Sequence, residues 1–395
     1  MKKIHWMVSL LTIILLVALL LPACAQSEEE TPTTTQPTTS QPTQEPTQEP
    51  TQEPTQEPTQ EPTQEPTQKE PRIIKFNYTM PPGSAVGVGF EWWADEFELR
   101  TDGRYVVETY GFSSLVDDAG SLDAVKEGVC EIIMTSTGSK QTDFPLAHVT
   151  DLPTLTFHKN GVTFEDYLAS FEAIKELFAE PEIAAEFADY HLIKGINIDP
   201  NYLISKDKEV ILPEDLEGLK VGGASGPLED MMSAYGAAGV FQIPPQAYDN
   251  MDKGVTTAAF MTYAMIGPYN MFDICDYILK QTFAAGTLLV ITSHDFYNSL
   301  PPEDQAIFDE TWEEASIACA QGMYDENVHS TPAIEESGKI TIHTPTAEES
   351  QIWFDACQEY AFPTWIDTCV DLGYDRAVPE RILAKWIELI DKYTP

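Results

Sequence analysis

Residues 201–269 decide the fold, and they read NYLISKDKEVILPEDLEGLKVGGASGPLEDMMSAYGAAGVFQIPPQAYDNMDKGVTTAAFMTYAMIGPY. Short apolar runs at 202–204, 219–221 and 255–262 predict strands. Between them, residues 227–235 place Met and Tyr at the three- and four-residue steps of an amphipathic helix. Strands that alternate with helices predict an α/β fold with a parallel sheet.

A ligand site is predicted at one edge of this sheet, because ligands of open α/β sheets bind beyond the carboxyl ends of the strands. Gly222 and Gly223 end one predicted strand, while Phe260 and Tyr263 lie at the end of another. These four residues are the first candidates for ligand contact. The alternative for Phe260 and Tyr263 is simple packing at a strand end.

The alternation of strands and helices continues on both sides of this segment. Upstream, the pattern predicts strands at 72–78, 105–110 and 130–134, and a helix at 88–100. Small hydroxyl residues follow at 135–137, where they either bind a polar ligand or only form a turn. Downstream, the pattern predicts a helix at 270–278, a strand at 283–292, a long helix from about 301 to 328 and a last helix at 380–392.

Several motifs occur in the order and spacing of a known family. They are PEDLEGLKV at 213–221, GAAGV at 236–240, AYDNMDKGV at 247–255 and SLPPEDQ at 299–305. With them, the chain after residue 71 resembles the extracytoplasmic solute-binding proteins of TRAP (tripartite ATP-independent) transporters, the DctP family.

The resemblance implies a two-lobed, periplasmic-binding-protein-like (type II) α/β fold with a hinge and a long connecting helix. Lobe 1 is predicted to comprise residues 71–199 plus about 288–335, and lobe 2 residues 200–287 plus about 336–395. The lobes would close around one small organic molecule, and the closed form would deliver it to a TRAP permease. Closure of this kind is hinge bending toward the state that binds the ligand better.

The chain departs from the family where the ligand carboxylate is usually bound. Members usually carry an arginine two residues after the lysine of G-L-K, and here that position is Gly222. Some members place a second arginine near the position of Asn201 or Tyr202. The Asp, Glu and Asn of the family's G-V-V-D-G-x-E-N are replaced at 254–261, which read GVTTAAFM.

Two explanations of these departures remain open. In the first, the ligand is anionic and its cation comes from elsewhere, such as Arg104 or Lys140, with help from helix N-termini. In the second, which we favour, the ligand is less charged and packs on aromatic residues, as is common in small-molecule sites. The predicted ligand-binding residues are Tyr78, Ser84 and Ser136 from lobe 1, Tyr202 at the crossover, and Gly222, Gly223, Phe260 and Tyr263 from lobe 2.

The N-terminus has the pattern of a secreted lipoprotein. Lys2 and Lys3 precede the almost wholly apolar residues 8–21, and the segment ends in Leu-Pro-Ala-Cys at 21–24. This predicts a signal peptide over residues 1–23 and lipidation of Cys24. The alternative is a membrane-spanning anchor, for which the apolar run is short, since a span needs roughly 20 residues. The predicted location is the outer face of the cell membrane or the periplasm, with the lipid holding the protein there.

Residues 24–70 predict a disordered stalk. They consist mainly of Thr, Gln, Glu and Pro, with six copies of Gln-Glu-Pro. Because apolar side chains are nearly absent, no core can form. Proline at every fourth residue favours an extended spacer between membrane and folded part. A glycosylated stalk is the alternative.

Composition and motifs exclude several functions. The chain has 64 acidic and 22 basic residues, a formal net charge of −42, which excludes nucleic acid as a partner. It contains no HExxH, GxSxG, Walker A, EF-hand or GxGxxG motif, and its histidines have no metal-ligand spacing. We therefore predict no catalytic residue, no metal and no cofactor. Beyond Cys24 the five cysteines are predicted to be buried free thiols.

Two other function classes fit parts of the pattern. One is a surface-anchored sensor or adhesion module that acts without a permease. The other is a secreted enzyme, because a catalytic triad is set in space rather than in sequence.

Overall fold

The computed structural model describes residues 70–157, 162–224, 226–242 and 244–393. The predicted signal peptide, Cys24 and nearly all of the predicted stalk lie outside the described residues. The described part forms two α/β lobes, each built on one sheet.

The first lobe contains a five-stranded sheet of order β2-β1-β3-β10-β4. Its strands are β1 (Arg72–Tyr78), β2 (Tyr105–Tyr110), β3 (Ile132–Ser136), β4 (His191–Asn197) and β10 (Thr287–Thr292). Strands β1, β2 and β3 are parallel, whereas β10 runs antiparallel to both β3 and β4. The late strand β10 therefore returns the chain to a sheet that was started more than 200 residues earlier.

The helices of the first lobe cover the two faces of this sheet. They are α1 (Ala85–Arg100), α2 (Ser121–Lys126), α3 (Phe164–Phe178) and α4 (Pro181–Glu186), with short 3-10 turns at Gly111–Ser113 and Ala147–Asp151. Helix α1 begins at its N-cap Ser84, whose side chain accepts a hydrogen bond from Gly87 N. Phe90 and Trp93 of α1 pack in one buried cluster with Phe76 of β1. The apolar stripe of α1 thus anchors it to the sheet.

The second lobe contains a six-stranded sheet of order β11-β9-β5-β8-β6-β7. Its strands are β5 (Tyr202–Ser205), β6 (Lys220–Gly222), β7 (Ala238–Val240), β8 (Ala258–Met261), β9 (Tyr277–Leu279) and β11 (Thr341–His343). The helices are α5 (Pro227–Ala234), α6 (Ala247–Asp252) and α7 (Tyr263–Ile266), with 3-10 turns at Pro213–Leu216, Pro244–Gln246 and Met271–Asp273. The predicted α/β architecture is confirmed, but β5 is antiparallel to both of its neighbours, so the sheet is mixed.

Two extended segments cross between the lobes side by side. One joins β4 to β5, and the other joins β9 to β10. They are hydrogen-bonded through Asn201 N to Ala284 O at 2.9 Å and Phe283 N to Asn201 O at 3.1 Å. A third segment joins them, since Thr154 N donates to Phe283 O at 2.9 Å. We call residues 151–157, 198–201 and 280–286 the hinge segments.

One short helix and one long helix complete the connections. Helix α8 (His294–Ser299) precedes α9 (Pro302–Glu335), a 34-residue helix. The first half of α9 packs on α1 of the first lobe, where Trp312 stacks on Trp93 with ring centroids 4.5 Å apart. Its last turns reach the second lobe, where Ile334 joins a core cluster with Ile204 and Met261. Helix α9 is therefore the predicted connecting helix.

The C-terminal helices divide between the lobes, which differs from the predicted boundaries. They are α10 (Ala347–Ala356), a π-helical turn (Cys357–Ala361), α11 (Phe362–Asp371) and α12 (Ala377–Tyr393). Helix α10 lies on the second lobe, where Trp353 Nε1 donates to Ile211 O at 2.9 Å. Helix α12 instead packs on α3 of the first lobe, with Arg381 bound to Glu180 at 2.8 Å. Residues 336–395 were predicted to belong to the second lobe, because the sequence pattern of a helix does not show which lobe the helix packs on.

The cysteines form no cluster that could bind a metal within the described part of the chain. The five thiols at 130, 275, 319, 357 and 369 are free and buried. Burial raises the pKa of Cys130 to about 11 and that of Cys275, Cys319, Cys357 and Cys369 to about 12. None of these thiols is therefore a reactive nucleophile at neutral pH.

No helix in the described residues combines the length and the apolar character needed to cross a bilayer.

Candidate ligand-binding site

A cavity of about 280 Å³ lies between the lobes, next to the hinge segments. Each lobe and each hinge segment contributes to its lining, which consists of Gly138, Gln141, His148, Asp151, Leu152, Pro153, Asn201, Gly223, Gly226, Pro227, Leu228, Phe260, Ala284 and Gly286. We call it the cleft cavity. Its glycines, alanine, two prolines, two leucines and Phe260 form an apolar wall. Four polar side chains complete the lining, which is the usual composition of a small-molecule site: Gln141, His148, Asp151 and Asn201.

Asp151 is the carboxylate of the cleft cavity, and its Oδ1 atom connects two strands of the first lobe. Thr137 Oγ1, at the end of β3, donates to Asp151 Oδ1 at 2.7 Å. Thr287 N, at the start of β10, donates to the same oxygen at 2.9 Å. Burial raises the pKa of Asp151. The nearby His148 and the hydrogen bonds from Thr137 and Thr287 act in the opposite direction. Asp151 therefore fixes the strand ends that form this side of the cavity.

His148 is the one side chain with possible positive charge among the described residues that line the cavity. It lies one turn before Asp151, and its Nε2 atom is 3.9 Å from Asp151 Oδ2. Together, His148 and Asp151 offer a ligand one hydrogen-bond donor and one acceptor. This pair does not offer the planar pair of donors that arginine presents to a carboxylate.

The basic residues considered as substitutes for the family arginine are engaged elsewhere. Arg104 is bound to Glu303 at 3.0 Å and to Asp304 at 2.7 Å on the first lobe. Lys140 is buried, and its Nζ atom donates to the main-chain carbonyls of Asp118 and Ala119. Neither residue belongs to the lining of the cleft cavity.

Gly222, which the resemblance places at the position of the family arginine, has the end of the Gln242 side chain where its own Cβ atom would lie. A Cβ atom built on Gly222 would lie 2.5 Å from Cδ of Gln242. The Gln242 amide is held there because Asn250 Nδ2 donates to its Oε1 atom at 2.9 Å. Thr256 Oγ1 donates to the same oxygen at 3.4 Å. The glutamine thus occupies the space next to Gly222 and would have to move to admit an arginine there.

We predict that Gly222→Ala destabilises the protein by about 1–2 kcal/mol, the cost of overpacking a buried position. Combining it with Gln242→Ala should recover most of this loss, because the small residue frees the space. A double-mutant cycle of urea unfolding measures the coupling between the two positions. If the two effects simply add, Gln242 does not exclude a side chain at Gly222.

Gly223 and Phe260 are the predicted site residues that the structure brings together in the cleft cavity. Gly223 has φ of +82°, in the left-handed region that favours glycine. A Cβ atom at Gly223 would lie 3.7 Å from Phe260 O, so the two are neighbours. The Phe260 ring packs edge-on against Phe283 at a centroid distance of 5.1 Å. Phe260 therefore serves both as core packing and as part of the cavity wall.

Tyr202 and Tyr263 line a different cavity, of about 330 Å³, beside the last part of α9. Their rings are 4.8 Å apart and approach edge to face. Burial raises the pKa of both hydroxyls, and Tyr263 Oη has no hydrogen-bond partner among the described residues. The structure thus separates these tyrosines from Phe260, although all three belong to the predicted ligand-binding set.

The predicted residues of the first lobe lie outside the lining of the cleft cavity. Tyr78 is fully buried in the first-lobe core, and its hydroxyl lies 3.4 Å from Glu91 Oε1. Ser84 is occupied as the N-cap of α1. Ser136 is nearest to the cavity, two residues before Gly138, and its Oγ atom accepts from Ser139 N at 3.1 Å.

His148, Asp151 and Gln242 were not predicted as site residues. His148 and Asp151 follow β3 in a loop whose sequence matches the family's F-P-L and L-P connection. The sequence signal that could have identified them as site residues is a histidine and an aspartate three residues apart. Gln242 offered no signal, since its relation to Gly222 depends on how β6 and β7 pair.

Together, the two lobes, the hinge segments and the cavity between them define a solute-binding protein of the two-lobed α/β class. Solved structures support this fold. A TRAP solute-binding protein from Rhodoferax ferrireducens, solved with copurified benzoate, is 22% identical with a TM-score of 0.67, covering 82% of this chain and 98% of its own. One from Desulfovibrio salexigens is 24% identical with a TM-score of 0.70, covering 82% and 96%.

The chain belongs to the DctP family, bacterial extracellular solute-binding protein family 7, whose sequence pattern matches residues 76–363. It is 24% identical over 296 residues to the C4-dicarboxylate-binding periplasmic protein DctP of Rhodobacter capsulatus, covering 72% of this chain and 84% of that protein. The resemblance to TRAP-type solute-binding proteins is therefore confirmed.

Proposed function

We propose that this protein captures a small organic molecule in the cleft cavity, and that this molecule is aromatic or largely apolar and carries at most one negative charge. The lobes close around it without chemical conversion. The protein then presents the closed complex to a TRAP permease in the membrane.

The observation that carries this proposal is the lining of the cleft cavity. Its described residues include Phe260, Leu152 and Pro153 but no arginine or lysine. Asp151 adds a carboxylate, which disfavours a dianion at short range. A hydroxyl or amide of the ligand can donate to Asp151, and His148 can bind one acceptor. The start of α5 at Pro227 also lies at the cavity, where a helix N-terminus favours partial negative charge.

Structures with the same fold bind molecules of this class. A marine metagenome TRAP solute-binding protein, 20% identical with a TM-score of 0.68, is specific for aromatic acid ligands. The protein from Rhodoferax ferrireducens carries benzoate. Others bind L-malate or succinate, so the fold admits both classes and the lining of the cavity must decide between them.

We extend the proposal to location and attachment. The lipobox at residues 21–24 would place a lipid on Cys24, and residues 24–70 would act as a spacer. Lipid anchoring concentrates a binding protein near a membrane partner. Loss of membrane association in a Cys24→Ser variant would support the anchor, and unchanged association would contradict it.

The ligand class is tested by native mass spectrometry of the full chain, before and after gentle unfolding. Release of an aromatic or weakly charged molecule would support the proposal. A released dicarboxylate would contradict the low charge. An empty protein without thermal shift across a broad metabolite library would contradict the binding function itself.

We predict that Phe260→Ala weakens the affinity for the released ligand at least tenfold, because the cavity loses an aromatic wall. Phe241→Ala is the matched control, since this phenylalanine is 86% exposed and lies outside the lining. Isothermal titration calorimetry measures both variants. Equal affinity of the Phe260 variant and wild type would place the ligand outside the cleft cavity.

A further inference from the structure

A second and larger cavity, of about 560 Å³, lies where the C-terminal helices meet the hinge segments. We call it the hinge cavity. Its lining consists of Thr154, Leu155, Gln281, Ala347, Ser350, Gln351, Phe354, Ile387, Ile390 and Asp391. The volume falls within the range of about 300–1,000 Å³ that is typical of small-molecule sites. None of these residues lines the cleft cavity.

The walls of the hinge cavity belong to different lobes. Ser350 and Phe354 lie on α10, which is fixed to the second lobe through the Trp353 hydrogen bond to Ile211 O. Ile387 lies on α12, which is fixed to the first lobe. Lys392 of α12 is bound to Glu176 of the first lobe at 2.5 Å. A molecule in this cavity would therefore contact both lobes at once.

The floor of the hinge cavity contains a buried polar group without a partner. The Gln281 side chain is 3% exposed. Its Nε2 atom donates to Thr282 O at 3.2 Å, which identifies Oε1 as the other end of the amide. Its Oε1 atom has no hydrogen-bond partner among the described residues. The Oε1 atom is closed off in this arrangement, so a donor in the cavity reaches it through a small turn of the Gln281 side chain. An unpaired buried acceptor is costly, so the new hydrogen bond would favour that turn.

We propose that the hinge cavity is a second binding site, for an amphipathic small molecule that is neutral or cationic. Its N–H or O–H donor would bind Gln281 Oε1, and its apolar part would pack on Leu155, Phe354 and Ile387. Asp391 on the lining favours positive over negative charge. This site is independent of the ligand proposed for the cleft cavity.

Benzylamine is the probe for this site, with phenyl phosphate as the anionic control of the same ring size, because its second negative charge also disfavours binding beside Asp151 in the cleft cavity. Each is titrated into full-length protein labelled at Leu and Ile methyl groups, and the Leu155 and Ile387 signals report the hinge cavity. We expect benzylamine to shift both signals with a dissociation constant in the millimolar range, typical of so small a ligand. Phenyl phosphate should leave these two signals unchanged.

Two variants test the residues themselves. Gln281→Met keeps the size of the side chain but removes the acceptor, and it should weaken benzylamine about tenfold. Its melting temperature should be equal to that of wild type or higher, because an unpaired polar group is lost. Ser350→Phe fills the cavity and should abolish the shifts. Gln321→Met, exposed on α9, is the control with no expected effect.

Three results would overturn the proposal. The first is the absence of Leu155 and Ile387 shifts with benzylamine. The second is equal affinity of Gln281→Met and wild type, and the third is a response to phenyl phosphate as strong as that to benzylamine. A lower melting temperature of Gln281→Met with unchanged affinity would assign the residue a structural role alone.

Discussion

Gly322→Ala will destabilise the protein by about 2–3 kcal/mol, although alanine normally stabilises the interior of a helix. Gly322 lies inside α9. A Cβ atom built there would collide with the main-chain oxygen of Ala85 in α1 and lie 3.1 Å from Ala85 C. The helix propensity of alanine contributes only about 1 kcal/mol, so the steric conflict dominates.

The same close approach is seen from the facing helix. A Cβ atom at Gly89 of α1 would lie 2.8 Å from Cys319 N of α9. The two glycines thus let the helices contact each other through their backbones, next to the stacked Trp93 and Trp312. The helix that packs on α1 here also reaches the core of the second lobe through Ile334.

Urea unfolding measures this effect, with the adjacent exposed residue in Gln321→Ala as control. We expect the control to stay within about 0.5 kcal/mol of wild type. A Gly322→Ala variant as stable as wild type, or more stable, would show that α1 and α9 do not approach this closely.

Asp199→Ala is expected to cost about 3 kcal/mol, because it leaves two buried donors without their acceptor. Asp199 lies in the first crossing between the lobes, at residues 198–201, and is 9% exposed. Tyr167 Oη of α3 and Asn327 Nδ2 of α9 both donate to Asp199 Oδ1, the latter at 2.6 Å. Asn327 Nδ2 also lies 2.8 Å from Tyr167 Oη. One carboxylate therefore joins a hinge segment to two helices.

The Asp199 carboxyl group also makes the free energy of unfolding depend on pH, and the protein should become less stable as the pH rises. Burial raises the pKa of Asp199 to about 7, and Glu326 acts in the same direction. The unfolded value is about 3.9, so between these values the folded state holds the additional proton. The stabilisation is complete below about pH 4 and is lost as the pH rises through the folded pKa of about 7.

Asp199→Asn should therefore flatten the stability profile, since its amide stays neutral. Between pH 5 and pH 8, wild type should lose about 2 kcal/mol more than the variant. Burial also raises the pKa of Glu186 to about 7, so Glu186→Gln is the reference for a carboxylate away from the hinge segments. Unfolding midpoints at four pH values measure all three proteins. Parallel profiles of wild type and Asp199→Asn would contradict the raised pKa of Asp199.

Periodicity predicted most elements, because their burial is local. Strand β1 occupies residues 72–78 as predicted, and α5 follows the predicted helix to within one residue. The predicted helix at 270–278 is wrong, because the range holds only the 3-10 turn Met271–Asp273 and the start of β9 at Tyr277–Leu279. Ile278 and Leu279 pair with β5 and β11 at once, and such pairing with distant strands leaves no periodic signal in so short a run.

The candidate site was predictable only where it coincides with strand ends. Gly223 and Phe260 follow from the rule that ligands bind at the carboxyl edge of the sheet. Asp151 does not, because its role depends on Thr137 and Thr287, which are 150 residues apart. Tyr202 and Tyr263 were grouped with Phe260 from chain order, whereas the structure directs them to the cavity beside α9.

Because the native thiols are buried, motion at the hinge segments can be measured with fluorescent dyes attached to introduced cysteines. Because all five cysteines of the described part are buried, with pKa values raised to about 11 or 12, maleimide dyes will not label them in the native state. With Cys24 replaced by serine, two cysteines introduced on the surface, one in each lobe, can carry a donor and an acceptor dye. Energy transfer between them would then follow opening and closing in single molecules, without any other change to the sequence.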